Sequence, residues 1–210
     1  MAELSGPAAF PDPTSVERLH VRQKLTAMVN RYAVHAVDDH GGEGPLIAFA
    51  QQKRLAFKEQ VTFYADEERT VPVFTFKARS TFDVNAGHDV TDADGQQIGW
   101  FKKEFRRSLT RSTWLLGYPV LGLEATGTER SGRVAIVRRV WNLLLEDVPS
   151  PWRFHFDFRT ADGTLVMSSD RRRALRDVYD VRLPVLPDGT RLDWRLAAAM
   201  AVALDALQSR

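Results

Sequence analysis

Apolar and polar positions along the first half of the chain change over at short range. Tyr32-Ala-Val-His-Ala-Val37, Val61-Thr-Phe-Tyr64, Val71-Pro-Val-Phe-Thr-Phe76 and Ile98-Gly-Trp-Phe101 are short runs rich in β-branched and aromatic side chains. That pattern predicts β-strands. Pro72 has no N–H to give to a ladder, so it belongs at a strand start or on an edge. Between the runs lie acidic turns. Asp38, Asp66 and Asp94 fall 28 residues apart, and Ala161-Asp162-Gly163 repeats the pattern between Phe154–Phe158 and Thr164–Met167. Asp-Gly between two strand patterns predicts a hairpin, because glycine accepts the positive φ that tight turns need. Many short strands at even spacing favour a β-sandwich or a closed barrel.

Two segments depart from this pattern. From Arg130 to Leu145, apolar residues fall at 134, 137, 140, 141, 144 and 145, which predicts an amphipathic helix ended by Pro149 and Pro151. From Leu196 to Leu204 nine apolar residues stand in a row, so a helix here has no polar face. The run is shorter than the roughly 18–20 apolar residues that cross a bilayer, which predicts a helix inside a protein core. Leu196, Met200, Leu204 and Leu207 form its bulky stripe, and alanines keep the rest slim. Asp193 is placed to cap its N-terminus. Asp205 opposes the helix dipole, and inside a barrel it needs a partner, for which an arginine from the wall is the expected choice.

Composition narrows the picture. The 210 residues, 44% of them hydrophobic, suit a single domain over 21–210 behind a disordered, proline-rich lead-in over 1–20. Without cysteine there is no disulfide and no thiol nucleophile. A net charge of +2 gives no reason to expect a nucleic-acid partner. The first residues lack a signal-peptide pattern and no stretch reads as a transmembrane span, so the expected location is the cytoplasm, at most peripheral on the inner membrane face.

Little of the sequence looks catalytic. The histidines 20, 35, 40, 88 and 155 form no metal-binding pair, and there is no nucleophile elbow or P-loop. With Gly95 in the glycine position of an EF-hand loop, Val90 and Phe101 fall where ligands are required, so no calcium loop is expected. No cofactor is expected either. The basic clusters carry more weight: Lys102 and Lys103 with Arg107, and Arg171 with Arg173 and Arg176. Alternate strand residues share a face, so such sets can converge on a phosphate, although each cluster singly also suits a solvated outer wall.

Phe82–Trp100, Leu175-Arg-Asp-Val-Tyr-Asp-Val-Arg-Leu-Pro184 and Asp193-Trp-Arg-Leu-Ala-Ala-Ala-Met200 resemble the LURP-one-related and phospholipid-scramblase families of the tubby C-terminal-like superfamily. The resemblance implies a mainly β fold, a closed twelve-stranded antiparallel barrel around the C-terminal hydrophobic helix. Tubby domains bind phosphoinositide headgroups through basic residues, and scramblases are tied to calcium. The scramblase calcium loop does not carry over: Asp177 matches one acidic position, but Leu175 stands at the other. The expectation is a non-enzymatic barrel module whose partner is an anionic phospholipid headgroup, held by Lys102, Lys103, Arg107, Arg171, Arg173 and Arg176. The alternatives are a protein-binding or stress-response scaffold without lipid affinity and an enzyme with a pocket at the barrel mouth.

Overall fold

The computed structural model describes residues 10–25, 29–38, 40–53, 60–80, 87–104, 113–130, 155–172 and 178–208. These residues form twelve strands: β1 (Arg18–Leu25), β2 (Val29–Val37), β3 (Glu43–Lys53), β4 (Gln60–Tyr64), β5 (Pro72–Ala78), β6 (His88–Asp92), β7 (Gln97–Lys103), β8 (Thr113–Tyr118), β9 (Leu123–Glu129), β10 (His155–Arg159), β11 (Leu165–Arg172) and β12 (Val178–Arg182). Each pairs antiparallel with its neighbours in the chain, and β1 pairs with β12 to close the barrel. Closure leaves no sheet edge open to other strands. The mainly β barrel matches the expectation, and Pro72 is the first residue of β5.

The strands alternate as a barrel wall requires. In β1, Leu19 and Val21 are fully buried in the lumen while His20 and Arg22 point the other way. Phe63 on β4 stacks on Phe74 of β5 with ring centroids 4.2 Å apart. Residues 10–20, part of the lead-in expected over 1–20, are built into the barrel. Val16 is buried, the Pro13 carbonyl accepts a hydrogen bond from the Trp194 N–H at 3.0 Å, and β1 begins at Arg18. The apolar residues of this stretch find partners in the barrel that its polar composition hides. The amphipathic helix expected over 130–145 lies outside the described residues, apart from Arg130.

Among the described residues one α-helix fills the barrel. It is α1 (Trp194–Gln208), and it packs against β1 and β12 on one side and β5 and β7 on the other. Residues 196 to 204 are all buried, as the nine-residue apolar run requires. The Asp193 carboxylate accepts the Arg195 N–H at 2.8 Å, so it caps the helix as its position predicts. The Arg195 guanidinium folds back onto the same carboxylate at 2.7 Å. Glycine makes room for the helix at one point: a Cβ on Gly99 would stand 2.6 Å from a Leu196 methyl and 2.6 Å from the Gly117 carbonyl oxygen. Gly99→Ala should therefore cost about 1–3 kcal/mol in a denaturant titration, since the carbonyl cannot move aside as a side chain can.

At the end where α1 begins, four of the strand connections are tight turns tied by aspartates. Asp38 accepts the His40 and Gly42 N–H groups, Asp66 that of Thr70, and Asp162 that of Thr164. In the third turn the tie is Asp92, which accepts the Asp94 and Gln96 N–H groups, so the even 28-residue spacing marks hairpins rather than equivalent carboxylates. Gly95, Gly163 and Gly189 take φ values of 81°, 90° and 83°, as the Asp-Gly turns predict.

Candidate functional site

The densest polar arrangement lies on the outer wall of β1, β10, β11 and β12. Period-two alternation turns Arg18 and His20 outward on β1, Asp180 and Arg182 on β12, and Asp170 and Arg172 on β11. Register does the rest. His35, His20, Asp180, Asp170 and His155 stand directly opposite one another on five successive strands, and Arg18 faces Arg182.

Asp180 is the centre of this arrangement. Its carboxylate is 1% exposed, yet three guanidiniums surround it. Arg18 forks onto both oxygens, Nε at 2.6 Å and Nη2 at 2.5 Å; Arg172 donates from Nη2 at 2.5 Å, and Arg182 stands at 3.9 Å. Burial pushes the Asp180 carboxyl up, but the Arg18 bond and the charges of Arg18, Arg172 and Arg182 outweigh it and hold the group below the usual carboxylate range. His20, buried beside it, is pushed down by burial against the pull of Asp180. Further along the wall Arg130 bonds Asp157 at 2.5 Å and Asp170 at 3.1 Å, His155 Nδ1 meets Asp170 at 2.8 Å, and Arg159 lies 3.5 Å from Asp157.

The balance of this stripe is positive: arginines 18, 130, 159, 172 and 182 oppose aspartates 157, 170 and 180. The side chains of Arg172 and Arg182 are 55% and 58% exposed. With one carboxylate shared among three guanidiniums, both keep N–H groups turned to solvent. Arginine forks in this state suit phosphate oxygens.

The residues singled out from sequence are distributed differently. Lys102 points outward, as its neighbour Phe101 is fully buried in the lumen. Lys103 therefore turns inward, with its ammonium 5.7 Å from the centre of the Trp114 ring. Arg171 also turns inward, its guanidinium 5.9 Å from the centre of the Tyr179 ring. Arg107, Arg173 and Arg176 lie outside the described residues. Within the run 171–172 it is Arg172 that joins the outer cluster. Arg18 and Arg182 were missed because each stands alone in the sequence. The alternating Arg18-Leu-His-Val-Arg22 and Asp180-Val-Arg182 are the signal that could have found them, given the pairing of β1 with β12.

Inside the barrel, the end of α1 carries a second polar group. Asp205 is 9% exposed, and its carboxylate accepts the Tyr32 hydroxyl at 2.9 Å and the Tyr179 hydroxyl. Gln23 Nε2 in turn donates to the Tyr32 oxygen at 3.3 Å. Two tyrosine hydroxyls thus hold the carboxylate, since phenols reach the lumen centre while their rings fill it. Burial and then the Asp205 charge push the Tyr32 hydroxyl upward. Nearby His88 stacks on Phe101 at 5.1 Å, and burial lowers its imidazole from 6.5 to about 4. A base depressed by folding is protonated first in the unfolded chain. Stability should therefore fall by up to about 1.4 kcal/mol per pH unit as pH drops from the ordinary histidine value toward the folded one. His88→Phe should flatten urea midpoints across that window relative to the parent chain.

Among the described residues, no group of histidine, aspartate or glutamate side chains is arranged to hold a metal, and no helix is long and apolar enough to cross a membrane. The family model for LURP-one-related proteins matches residues 46–205. No curated protein matches the chain.

Proposed function

The chain belongs to the LURP-one-related family, and from that premise we propose that its barrel is a non-enzymatic module that holds anionic phospholipid headgroups against its outer wall at a membrane surface. The observation that carries this reading is the convergence of Arg18, Arg172 and Arg182 on the single buried carboxylate of Asp180. Asp180 fixes the guanidiniums in place and neutralises only one of them. A phosphate arriving from solvent meets donors already ordered, so less side-chain entropy is lost on binding. Lys102, on β7 across the barrel, and the inward-turned Lys103 and Arg171 take no part in this cluster. No step of chemistry is required of the site, and the chain offers no thiol or serine elbow to perform one.

Co-sedimentation with vesicles tests this. The protein should pellet with vesicles rich in phosphatidylserine or phosphoinositide, remain in the supernatant with phosphatidylcholine alone, and release as salt rises. Each basic residue at such a surface contributes about 1 kcal/mol, so Arg172→Gln with Arg182→Gln should weaken binding about thirtyfold. Equal binding to neutral vesicles, or none to either, overturns the reading.

A further inference from the structure

The opposite character of the α1 N-terminal end points to a second site. A groove of about 300 Å³ opens there, with Trp194 and Arg195 beside it, Phe10 to Pro13 on one bank, and Pro72, Val73 and the turn from Asp92 to Asp94 on the other. The near bank is fixed in place: Trp194 donates from Nε1 to the Pro11 carbonyl at 3.5 Å and from its backbone N–H to Pro13 at 3.0 Å.

The rim is apolar. Among the described residues the exposed large apolar side chains are Phe10, Val71, Val120 and Val185, and all four stand at this end. Phe10 is 45% exposed and lines the groove, and Val71, 48% exposed, directly precedes its Pro72. The charge is negative. Asp12, Asp92 and Asp94 line the groove, and Asp66, Glu67 and Glu68 stand on the adjoining turn. Against them are Arg69 and Arg195, and the Arg195 guanidinium is already bound to Asp193. Asp12 and Asp92 each commit one oxygen, Oδ1, to their own turns, and Asp94 lines the groove beside them.

Apolar tips set among carboxylates are unsuited to an anionic membrane, which repels them. They suit a chain that presents an apolar side chain beside a cation. We propose that this groove docks a polypeptide segment carrying a lysine or arginine next to an apolar residue, with the apolar side chain against the exposed Phe10 and Val71 and the cation on Asp94. The barrel then has two working surfaces, a basic wall and an acidic end, and each can fail without the other.

The probe is a heptapeptide of alternating lysine and leucine, blocked at both ends, titrated into the ¹⁵N-labelled full chain. Its counterpart carries glutamate in place of lysine. The lysine peptide should give saturable shifts in the Trp194 indole and the Asp94 and Gly95 amides. Phe10→Ser with Asp94→Asn should weaken it about tenfold, while the glutamate peptide gives no shifts. Neither side chain is buried, so both variants keep the fold, and an unchanged thermal melt verifies that. Three results overturn the proposal: no binding, binding that ignores both substitutions, or shifts that map to the outer wall instead. Anionic vesicles that shift the same amides also overturn it, in favour of a lipid contact at this end.

Discussion

Met200→Asp is expected to leave no folded protein. Met200 is fully buried at the middle of α1, with wall on every side. A carboxylate there has no partner and stays neutral by taking a proton. The neutral acid still loses its water, at about 2–7 kcal/mol for unsatisfied polar groups. The lost thioether packing adds about 2–5 kcal/mol. Together these approach the whole stability of an ordinary domain, about 5–15 kcal/mol. The variant should appear in the insoluble fraction, or show no cooperative melt by circular dichroism. Met200→Leu, which keeps volume and polarity, should melt within a few degrees of the parent chain. A soluble Met200→Asp protein that melts cooperatively would count against α1 as the core of the barrel.

The second large effect concerns Asp205. Asp205→Leu removes the acceptor of two buried hydroxyls, those of Tyr32 and Tyr179. An orphaned buried donor costs about 1–3 kcal/mol, so the pair should cost about 2–6 kcal/mol. At about 2–4 °C per kcal/mol for a chain of this size, the melting temperature falls by roughly 5–20 °C. The cause can be checked by removing the orphans as well. Adding Tyr32→Phe and Tyr179→Phe to Asp205→Leu should recover part of the loss, although it deletes more polar atoms. If the triple variant is less stable than the single one, the hydroxyls were not the source of the penalty.

These two residues also show what the amino-acid order makes plain and what it hides. The role of Met200 is legible because nine apolar residues in succession leave a helix no polar face, whatever surrounds it. The hairpins at Asp94-Gly95 and Asp162-Gly163 are legible because their turns are local chemistry. The partners of Asp205 are not, since Tyr32 lies 173 residues away along the chain. Strand β1 shows the same limit. Arg18-Leu-His-Val-Arg-Gln-Lys-Leu25 reads as a polar lead-in until its partner is known. Only closure against β12 turns Leu19 and Val21 into core and gathers Arg18 onto Asp180, 162 positions distant. The candidate wall was therefore half visible. Arg172 sat inside a conspicuous basic run, but Arg18 and Arg182 needed a register that no local pattern fixes. Lys103 and Arg171 carry the same lesson in reverse: a doublet on a strand is divided between the two faces of the sheet.

The helix that fills the barrel follows all twelve strands in the chain. The ribosome thus delivers every inward-facing side chain of the wall before the one element that can cover them. A hairpin such as that of β6 and β7 can form early, but its buried face has nothing to lie against. Even closing the ring, β1 to β12, must wait for nearly the whole length of the chain. Contacts so distant in sequence form slowly, and exposed strand faces at that stage invite association with other chains. Folding therefore passes through a vulnerable interval before α1 is available, and a chaperone that shields open sheets during that interval should raise the yield of folded barrel.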